Sequence, residues 1–393
     1  MTTTYHGYFL IADITGYTGY LSESELDHAQ GTLTALLNLL IDHTKPPLVI
    51  SRLAGDAVIS YGLRDHFFQG QTFVELIEDT YVAFRRAIDL MILNTTCGCN
   101  ACRNIRNLDL KFFVHYGSFG LQKLGAHEEM FGPDVNAIHR LLKNSVAEQT
   151  GCRAYALYTD AAIRNLGLEE ISATMMPYEE TYEHVGTVPV WIQDMHPVWE
   201  AKRERVQVRI LPEDELMRVE TMIPAASEKI WDYLIQPEHF NVFAGGTKTI
   251  IADQKEGRVT DGSVYQCYHG EEFIAMTVLE WHPFERILVQ TVPPIPIKGA
   301  TCLIEITLES VDNGTKFSQV FGKAKGPFLA RTMVNLAFRS MATQGQVDID
   351  NFGKHVAADL AGRGEAPRGE VPSPETIADA ARAGLSDLEE GEV

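Results

Sequence analysis

The sequence lacks any run of about 18 or more uncharged apolar residues, the length that a membrane-spanning helix requires. Its first residues also lack the basic segment and the cleavage site of a secretory signal. Basic residues are few relative to acidic ones. The chain has 33 Lys and Arg and 53 Asp and Glu, which give a formal net charge of −20. Phosphate backbones attract clustered positive charge, so nucleic acid is a poor candidate partner. We therefore expect a cytosolic protein that binds neither a membrane nor a nucleic acid.

Cysteine is sparse, with six residues in a chain of 393. Three of them, Cys97, Cys99 and Cys102, crowd into one hexapeptide, a spacing better suited to metal thiolates or free thiols than to a disulfide framework. These thiolates could bind Zn²⁺ if a fourth ligand approached them. A reduced cysteine-rich loop without metal, or a redox sensor, is compatible with the same spacing. The candidate fourth ligands in the sequence are His115, His127 and Cys152.

The remaining composition is that of a globular protein, with 45% hydrophobic and 22% charged residues. At about 100–200 residues per domain, the length predicts two domains. Residues 196–216 mix charges with prolines without a sustained period, which predicts a linker. We therefore expect one domain over residues 1–195 and another over 217–360. The tail over 361–393 is rich in Gly, Pro, Ala and Glu, which predicts disorder.

Strand and helix patterns alternate in the first half. The apolar run at 8–14 predicts a buried strand with Asp13 near its end. Short strand patterns at 48–51 and 57–61 flank Gly55 and Asp56 and predict a hairpin. The other predicted elements are helices at 24–43, 71–93 and 136–146 and strands at 108–116 and 187–193.

Two carboxylates and one helical pair are candidates for chemistry. Asp13 and Asp56 would lie side by side and could hold hard divalent cations through oxygen ligands. Alternatively, each is an ordinary cap or turn residue. Asn136 and Arg140 lie four residues apart on one helical face, where an amide and a guanidinium suit a ribose oxygen and a phosphate. The alternative for this pair is a surface position without a role.

Four segments in this order resemble the class III nucleotidyl cyclase catalytic domain over roughly residues 5–195. They are FLIADITGY at 9–17, LAGDA at 53–57, VHYG at 114–117 and FGPDVNAIHR at 131–140. The resemblance implies a ferredoxin-like α/β fold that converts a nucleoside triphosphate to a 3′,5′-cyclic nucleotide and pyrophosphate. It implies that Asp13, Asp56 and the carbonyl of Ile14 hold two Mg²⁺ or Mn²⁺ ions. Asn136 would orient the ribose, and Arg140 would stabilise transition-state charge.

The same resemblance implies a homodimer. Such domains pair head to tail, and each site combines the metal-binding Asp pair of one subunit with the Asn and Arg of the other. Arg52 and Glu129 stand where the family has its base-reading Lys and Asp, so both charges are kept while both side chains change. ATP is the default substrate, and guanine or a pyrimidine base stays open because Arg donates through a fork.

A third departure concerns the family's phosphate-binding Lys, which should lie near residues 182–186, where the sequence has none. Lys123, Lys143 or His184 could replace it, or turnover is weak or absent. The alternative function is therefore a degenerate cyclase fold that binds nucleotide without turnover, within a ligand-responsive signalling protein.

The second half has a different pattern of one strand, one helix, several strands and a long helix at about 328–360. Residues 223–234 resemble the opening of helix-grip domains of the START and polyketide-cyclase (SRPBCC) superfamily, and residues 313–316 agree with it. This implies a curved antiparallel sheet around a long helix, an apolar cavity, and a small hydrophobic ligand that regulates the cyclase. The polar groups that could stand at the cavity mouth are His269, Glu271 and Glu272. We expect an α+β protein overall.

The aromatic side chains of this half are expected to be mostly core residues. They are Trp231, Tyr233, Phe240, Phe243, Tyr265, Phe273, Trp281, Phe317 and Phe321.

Overall fold

A computed structural model describes residues 4–64, 69–94, 97–124, 127–182, 186–203, 208–270, 272–293 and 299–363. The chain is an α+β protein with two β-sheets. Among the residues singled out above, His184, Glu271 and the tail from 364 onward lie outside the described residues, as do the side chains of Lys123, His127 and Glu272.

The strands are β1 Thr4–Thr15, β2 Val49–Ala54, β3 Ala57–Leu63, β4 Asp109–Leu124, β5 His127–Phe131, β6 Tyr155–Thr159, β7 Met176–Tyr182, β8 Gly186–Asp194, β9 Glu215–Ile223, β10 Lys248–Asp253, β11 Val264–His269, β12 Glu272–His282, β13 Arg286–Thr291, β14 Cys302–Val311 and β15 Gly314–Gly322. The helices are α1 Tyr17–Ser22, α2 Leu26–Thr44, α3 Gly70–Asn94, α4 Asn100–Asn104, α5 Pro133–Leu141, α6 Val146–Thr150, α7 Asp160–Leu166, α8 Glu169–Ser172, α9 His196–Arg203, α10 Ser227–Leu234, α11 Pro237–Ala244, α12 Phe328–Ser340 and α13 Ala342–Gly362. Short 3₁₀ turns occur at Ile105–Asn107 and Pro212–Asp214.

The first sheet has the order β2-β3-β1-β4-β6-β8-β7, with β5 beside β4. β4 and β6 run parallel, and the other described pairings are antiparallel. Central β1 is buried on both sides, as its unbroken apolar run predicts. Leu10 and Ala12 pack in the core that contains α2 and α3, whereas Phe9 and Ile11 pack in the core that contains α5. The side of the sheet that carries Phe9 and Ile11 is called the α5 face below.

The second sheet is antiparallel, with the order β10-β11-β12-β13-β14-β15-β9. Helix α13 packs along β9, and α11 packs against α13. The single long helix expected at about 328–360 is instead two helices, because α12 ends at Ser340 and α13 begins at Ala342. Among the described residues, no helix has both the length and the apolar character needed to cross a membrane.

The segment expected to be a linker begins with helix α9, which packs against α3 and buries Trp199. The two halves also meet directly along α3. The Glu75 carboxyl accepts hydrogen bonds from the indole N–H groups of Trp231 at 2.8 Å and Trp281 at 2.6 Å. One turn further, the Glu78 carboxylate accepts two bonds from the Arg258 guanidinium, at 2.8 and 3.0 Å. Helix α3 of the first half therefore packs against side chains of the second half.

Candidate active site on the α5 face

The two candidate metal ligands lie side by side at one end of the α5 face. Asp13 pairs with Ala57 across β1 and β3, and the N–H of Ile14 donates to the backbone oxygen of Asp56 at 3.2 Å. The hairpin turn that carries Asp56 depends on Gly55, whose positive φ of 63° suits a residue without a Cβ. Burial, and then the negative charge of Asp56, raise the pKa of Asp13 to about 6. Burial also raises the pKa of Asp56.

A cation that no sequence motif indicated lies beside this pair. Lys111 stands opposite Asp13 in the β1–β4 register, and its positive charge opposes the rise in the pKa of Asp13. Its ammonium lies 5.3 Å from the centre of the Tyr155 ring, and burial lowers the pKa of Lys111. A Lys at an inward position of the apolar strand pattern at 108–116 was the available signal, because such a position rarely holds an unpaired charge.

The expected base-reading pair is together in the structure. Arg52 lies 3.5 Å from the Glu129 carboxylate and, through its other terminal nitrogen, 3.0 Å from Nε2 of His139. Because Arg only donates, His139 accepts at Nε2 and carries its proton on Nδ1. Burial, together with the charge of Arg52, lowers the pKa of His139. His139 is a third member of this group that the sequence analysis did not identify, although it lies between Asn136 and Arg140 on α5.

A local irregularity positions Arg52. Strand β2 carries one extra residue between Ile50 and Arg52, so that Arg52 stands opposite Ile59, whose side chain belongs to the α5 face. Bulges of this kind re-aim the side chains that follow them. The Arg52 side chain can therefore contact Glu129 on β5 and His139 on α5.

The start of α5 is fixed to the middle of β4. The carboxylate of Asp134 accepts from the backbone N–H of Ser118 at 2.7 Å and from its hydroxyl at 3.0 Å. A Cβ on Gly117 would lie 2.4 Å from the Cβ of Asp134, so this close approach requires glycine. Asn136 and Arg140 project from the anchored helix, and both are exposed.

The start of α5 and the Asp pair lie at different positions along β4. Asp134, at the start of α5, contacts Ser118 and faces His115, whereas Asp13 pairs with Lys111 of the same strand.

The cysteine cluster has a different fourth member from those expected. Cys97, Cys99 and Cys102 lie around His28, at the start of α2. His115 instead contacts the Thr159 hydroxyl at 2.9 Å and faces Asp134, and Cys152 is not part of the cluster. His28 is distant in sequence and shares no motif with the cysteines, so only the fold brings it there.

The second half contains a cavity of about 380 Å³ between its sheet and helices α11, α12 and α13. Its lining is mainly apolar and includes Phe240, Phe243 and Ile274. His269 lines it too, with Gln319 and Asp348 as further polar groups. Of the aromatic residues expected in the core, Phe273 is 46% exposed, whereas Trp231, Tyr233, Phe240, Phe243, Tyr265, Trp281 and Phe317 are buried.

The family model and the curated protein that match this chain both describe proteins of unknown function. A family model described as "Protein of unknown function (DUF2652)" matches residues 33–150. The uncharacterized protein Rv2561/Rv2562 of Mycobacterium tuberculosis is 27% identical over 157 residues, which are 39% of this chain and 69% of that protein.

Solved structures similar to this chain include nucleotide cyclases. A bacterial light-regulated adenylyl cyclase matches with 12% identity and a TM-score of 0.36, and covers 52% of this chain. This chain spans 58% of the length of that protein. The guanylyl cyclase Cya2 also matches with 12% identity and a TM-score of 0.36, over 49% of this chain and 92% of that one.

Proposed function

We propose that this chain is a nucleotidyl cyclase that works as a head-to-tail homodimer and converts a nucleoside triphosphate to a 3′,5′-cyclic nucleotide and pyrophosphate. The observation that carries the proposal is the half-buried pair Asp13 and Asp56, with Lys111 beside it. Burial disfavours the ionised form of both carboxylates and so raises both pKa values, and Lys111 opposes this rise for Asp13. A bound cation would relieve the same cost. Such a site favours cations, and a polyanionic substrate requires them in a chain of net charge −20.

The donor set suits Mg²⁺ or Mn²⁺, because both ions prefer oxygen ligands. The carboxylates of Asp13 and Asp56 and the carbonyl of Ile14 would hold two such ions. When bound, the ions would supply Lewis-acid activation of the attacking 3′-oxygen and charge neutralisation at the phosphates. Lys111 would place its ammonium near the triphosphate, in the absence of a Lys at residues 182–186.

Asn136 and Arg140 would act from the other subunit. The Asn136 amide would orient the ribose, and the Arg140 guanidinium would stabilise the charge that develops at the α-phosphate. Both side chains are exposed on a helix whose start is rigidly fixed by Asp134, which is the arrangement needed for a preorganised contact across a dimer.

Arg52, Glu129 and His139 would read the base. An Arg donor beside a Glu acceptor can pair with N1 and the amino group of adenine. It can equally pair with O6 and N1–H of guanine. ATP is our first candidate and GTP the second. The Arg52–Glu129 pair is well exposed, so its opening for a base costs about 1 kcal/mol or less.

The test is incubation of the purified chain with Mn²⁺ and each of the four nucleoside triphosphates, with cyclic products identified by mass spectrometry. We expect product from at least one purine nucleotide, and none from Asp13→Asn or Arg140→Ala. Mixing these two variants should restore part of the activity, because a mixed dimer contains one intact site. Arg164→Ala removes another exposed arginine, on α7, and should leave activity unchanged.

The second candidate function is nucleotide binding without turnover. The absence of Lys at residues 182–186 favours it. Nucleotide binding by calorimetry that depends on Mn²⁺ and on Asp13, without any cyclic product, would decide for this candidate. Failure of every nucleotide to bind would refute both.

We further propose that the second half resembles a helix-grip domain and binds a small apolar ligand that regulates the first half. The cavity supports binding, and the contacts of α3 with Trp231, Trp281 and Arg258 provide a route between the halves. The fluorescent probe anilinonaphthalene sulfonate should bind the native protein. Ile274→Trp, which fills the cavity, should abolish this binding, whereas Leu279→Trp, at an exposed position of the same strand, should not. Regulation is refuted if cavity occupancy leaves the cyclase rate unchanged.

A further inference from the structure

Four side chains that bind soft metals converge at one place on the first half, away from the α5 face. His28 lies in the first turn of α2, and Cys97, Cys99 and Cys102 lie at the start of α4 and just before it. Their ligand atoms all lie within 4.8 Å of one another. Nδ1 of His28 is 3.2 Å from the sulfur of Cys99, 3.7 Å from that of Cys97 and 3.9 Å from that of Cys102.

These distances match a tetrahedral zinc site. With Zn–S bonds of about 2.3 Å and a Zn–N bond of about 2.0–2.1 Å, the nitrogen and each sulfur of a tetrahedron are about 3.6 Å apart. The three observed distances from the imidazole nitrogen to the sulfurs bracket this value. The three cysteines are near neighbours in the sequence, whereas His28 comes from 69 to 74 residues away and is brought to them by the fold.

Backbone groups also organise the cluster. The backbone N–H of Cys102 donates to the sulfur of Cys99 at 3.4 Å. The Glu25 carboxylate accepts from the backbone N–H of Ala101 at 3.1 Å and so ties the start of α4 to the start of α2. The two segments that a bound ion would join are therefore already in contact.

We propose that His28, Cys97, Cys99 and Cys102 bind one zinc ion in a closed, structural site. Three thiolates and one imidazole complete a tetrahedron and leave no position for substrate, which is the pattern of structural rather than catalytic zinc. Such soft ligands discriminate against Mg²⁺ and Ca²⁺. The ion would fasten α2 to the connection between α3 and β4. That connection ends at Asp109, which pairs with Thr15 at the end of β1, so the site would stabilise the segment that follows Asp13.

The first experiment is metal analysis of the full chain, purified without chelator and under reducing conditions. We expect one zinc ion per chain, removed by a strong chelator with a fall in melting temperature that Zn²⁺ reverses and Mg²⁺ does not. Cys99→Ser and His28→Ala should contain far less than one zinc ion per chain. Cys152→Ser, which removes a free cysteine outside the cluster, should keep the full content.

A second measurement covers the case in which the variants do not fold. Titration of the chelated wild-type chain with Co²⁺ should produce the visible absorption and thiolate charge-transfer bands of a tetrahedral site, and Zn²⁺ should displace them. The proposal is overturned if the reduced chain retains no zinc after reconstitution, or if Cys152→Ser loses as much zinc as Cys99→Ser. A persistent disulfide within the cluster, without metal binding after reduction, also overturns it. None of these readouts depends on cyclase activity.

Discussion

Replacing Arg258 with Met should destabilise the chain strongly, because it leaves the Glu78 carboxylate buried without its main partner. Burial alone would raise the pKa of Glu78. The charges of Arg258 and Lys202 and the hydrogen bonds from Arg258 and Gln193 instead lower it to about 2. After the substitution, the partners of Glu78 among the described residues would be the Gln193 amide at 2.7 Å and the Lys202 ammonium at 3.8 Å.

Two routes give the magnitude. A pKa lowered from 4.5 to about 2 corresponds to about 3 kcal/mol of folding free energy. Since the pKa is lower in the folded state, this contribution is fully present above pH 4.5 and is lost as the pH falls toward 2. Independently, removal of one partner from a buried ion pair costs about 3–5 kcal/mol. We therefore expect Arg258→Met to lower the free energy of unfolding at pH 7 by about 3 kcal/mol or more.

The assay is urea unfolding followed by tryptophan fluorescence, which is sensitive here because Trp231 and Trp281 lie on the same interface. Adding Glu78→Gln to Arg258→Met should recover about half of the loss, because no buried charge is then left unpaired. The matched control is Arg218→Met, which breaks an exposed pair with Glu215 and should cost about 1 kcal/mol or less. The reasoning is refuted if Arg258→Met costs no more than Arg218→Met, or if the double variant is less stable than Arg258→Met alone.

Two further predictions concern stability. Burial raises the pKa of Asp232 to about 6, so the stability that this group contributes is present below about pH 4 and is lost as the pH rises toward 6. Asp232→Asn should remove this pH dependence, which amounts to about 3 kcal/mol. The measurement is the free energy of unfolding as a function of pH. Gly117→Ala should cost about 1–3 kcal/mol in urea unfolding because its Cβ would clash with Asp134, whereas Gly19→Ala, in open space, should not destabilise. Equal effects of the two glycine substitutions would contradict the anchoring of α5.

Several elements of the first half were predictable because they have a strong local pattern. The apolar run of β1, the hairpin around Gly55 and the helical period of α2 all appear in the structure near the expected positions. Strands β5, β6 and β7 were not predicted. The long helix of the second half was expected to continue past Ser340, since no glycine or proline marks the break before Ala342.

The sequence by itself determined the local features of the site, namely Asp13 at a strand end, Asp56 in a hairpin turn, and Asn136 and Arg140 on one helical turn. Periodicity and turn chemistry act within a few residues, so they are readable from the chain. Only the tertiary structure decided that Lys111 faces Asp13, that His139 joins Arg52, and that His28 completes the cysteine cluster. These contacts depend on strand register and on the packing of helices distant in sequence, which local patterns do not specify.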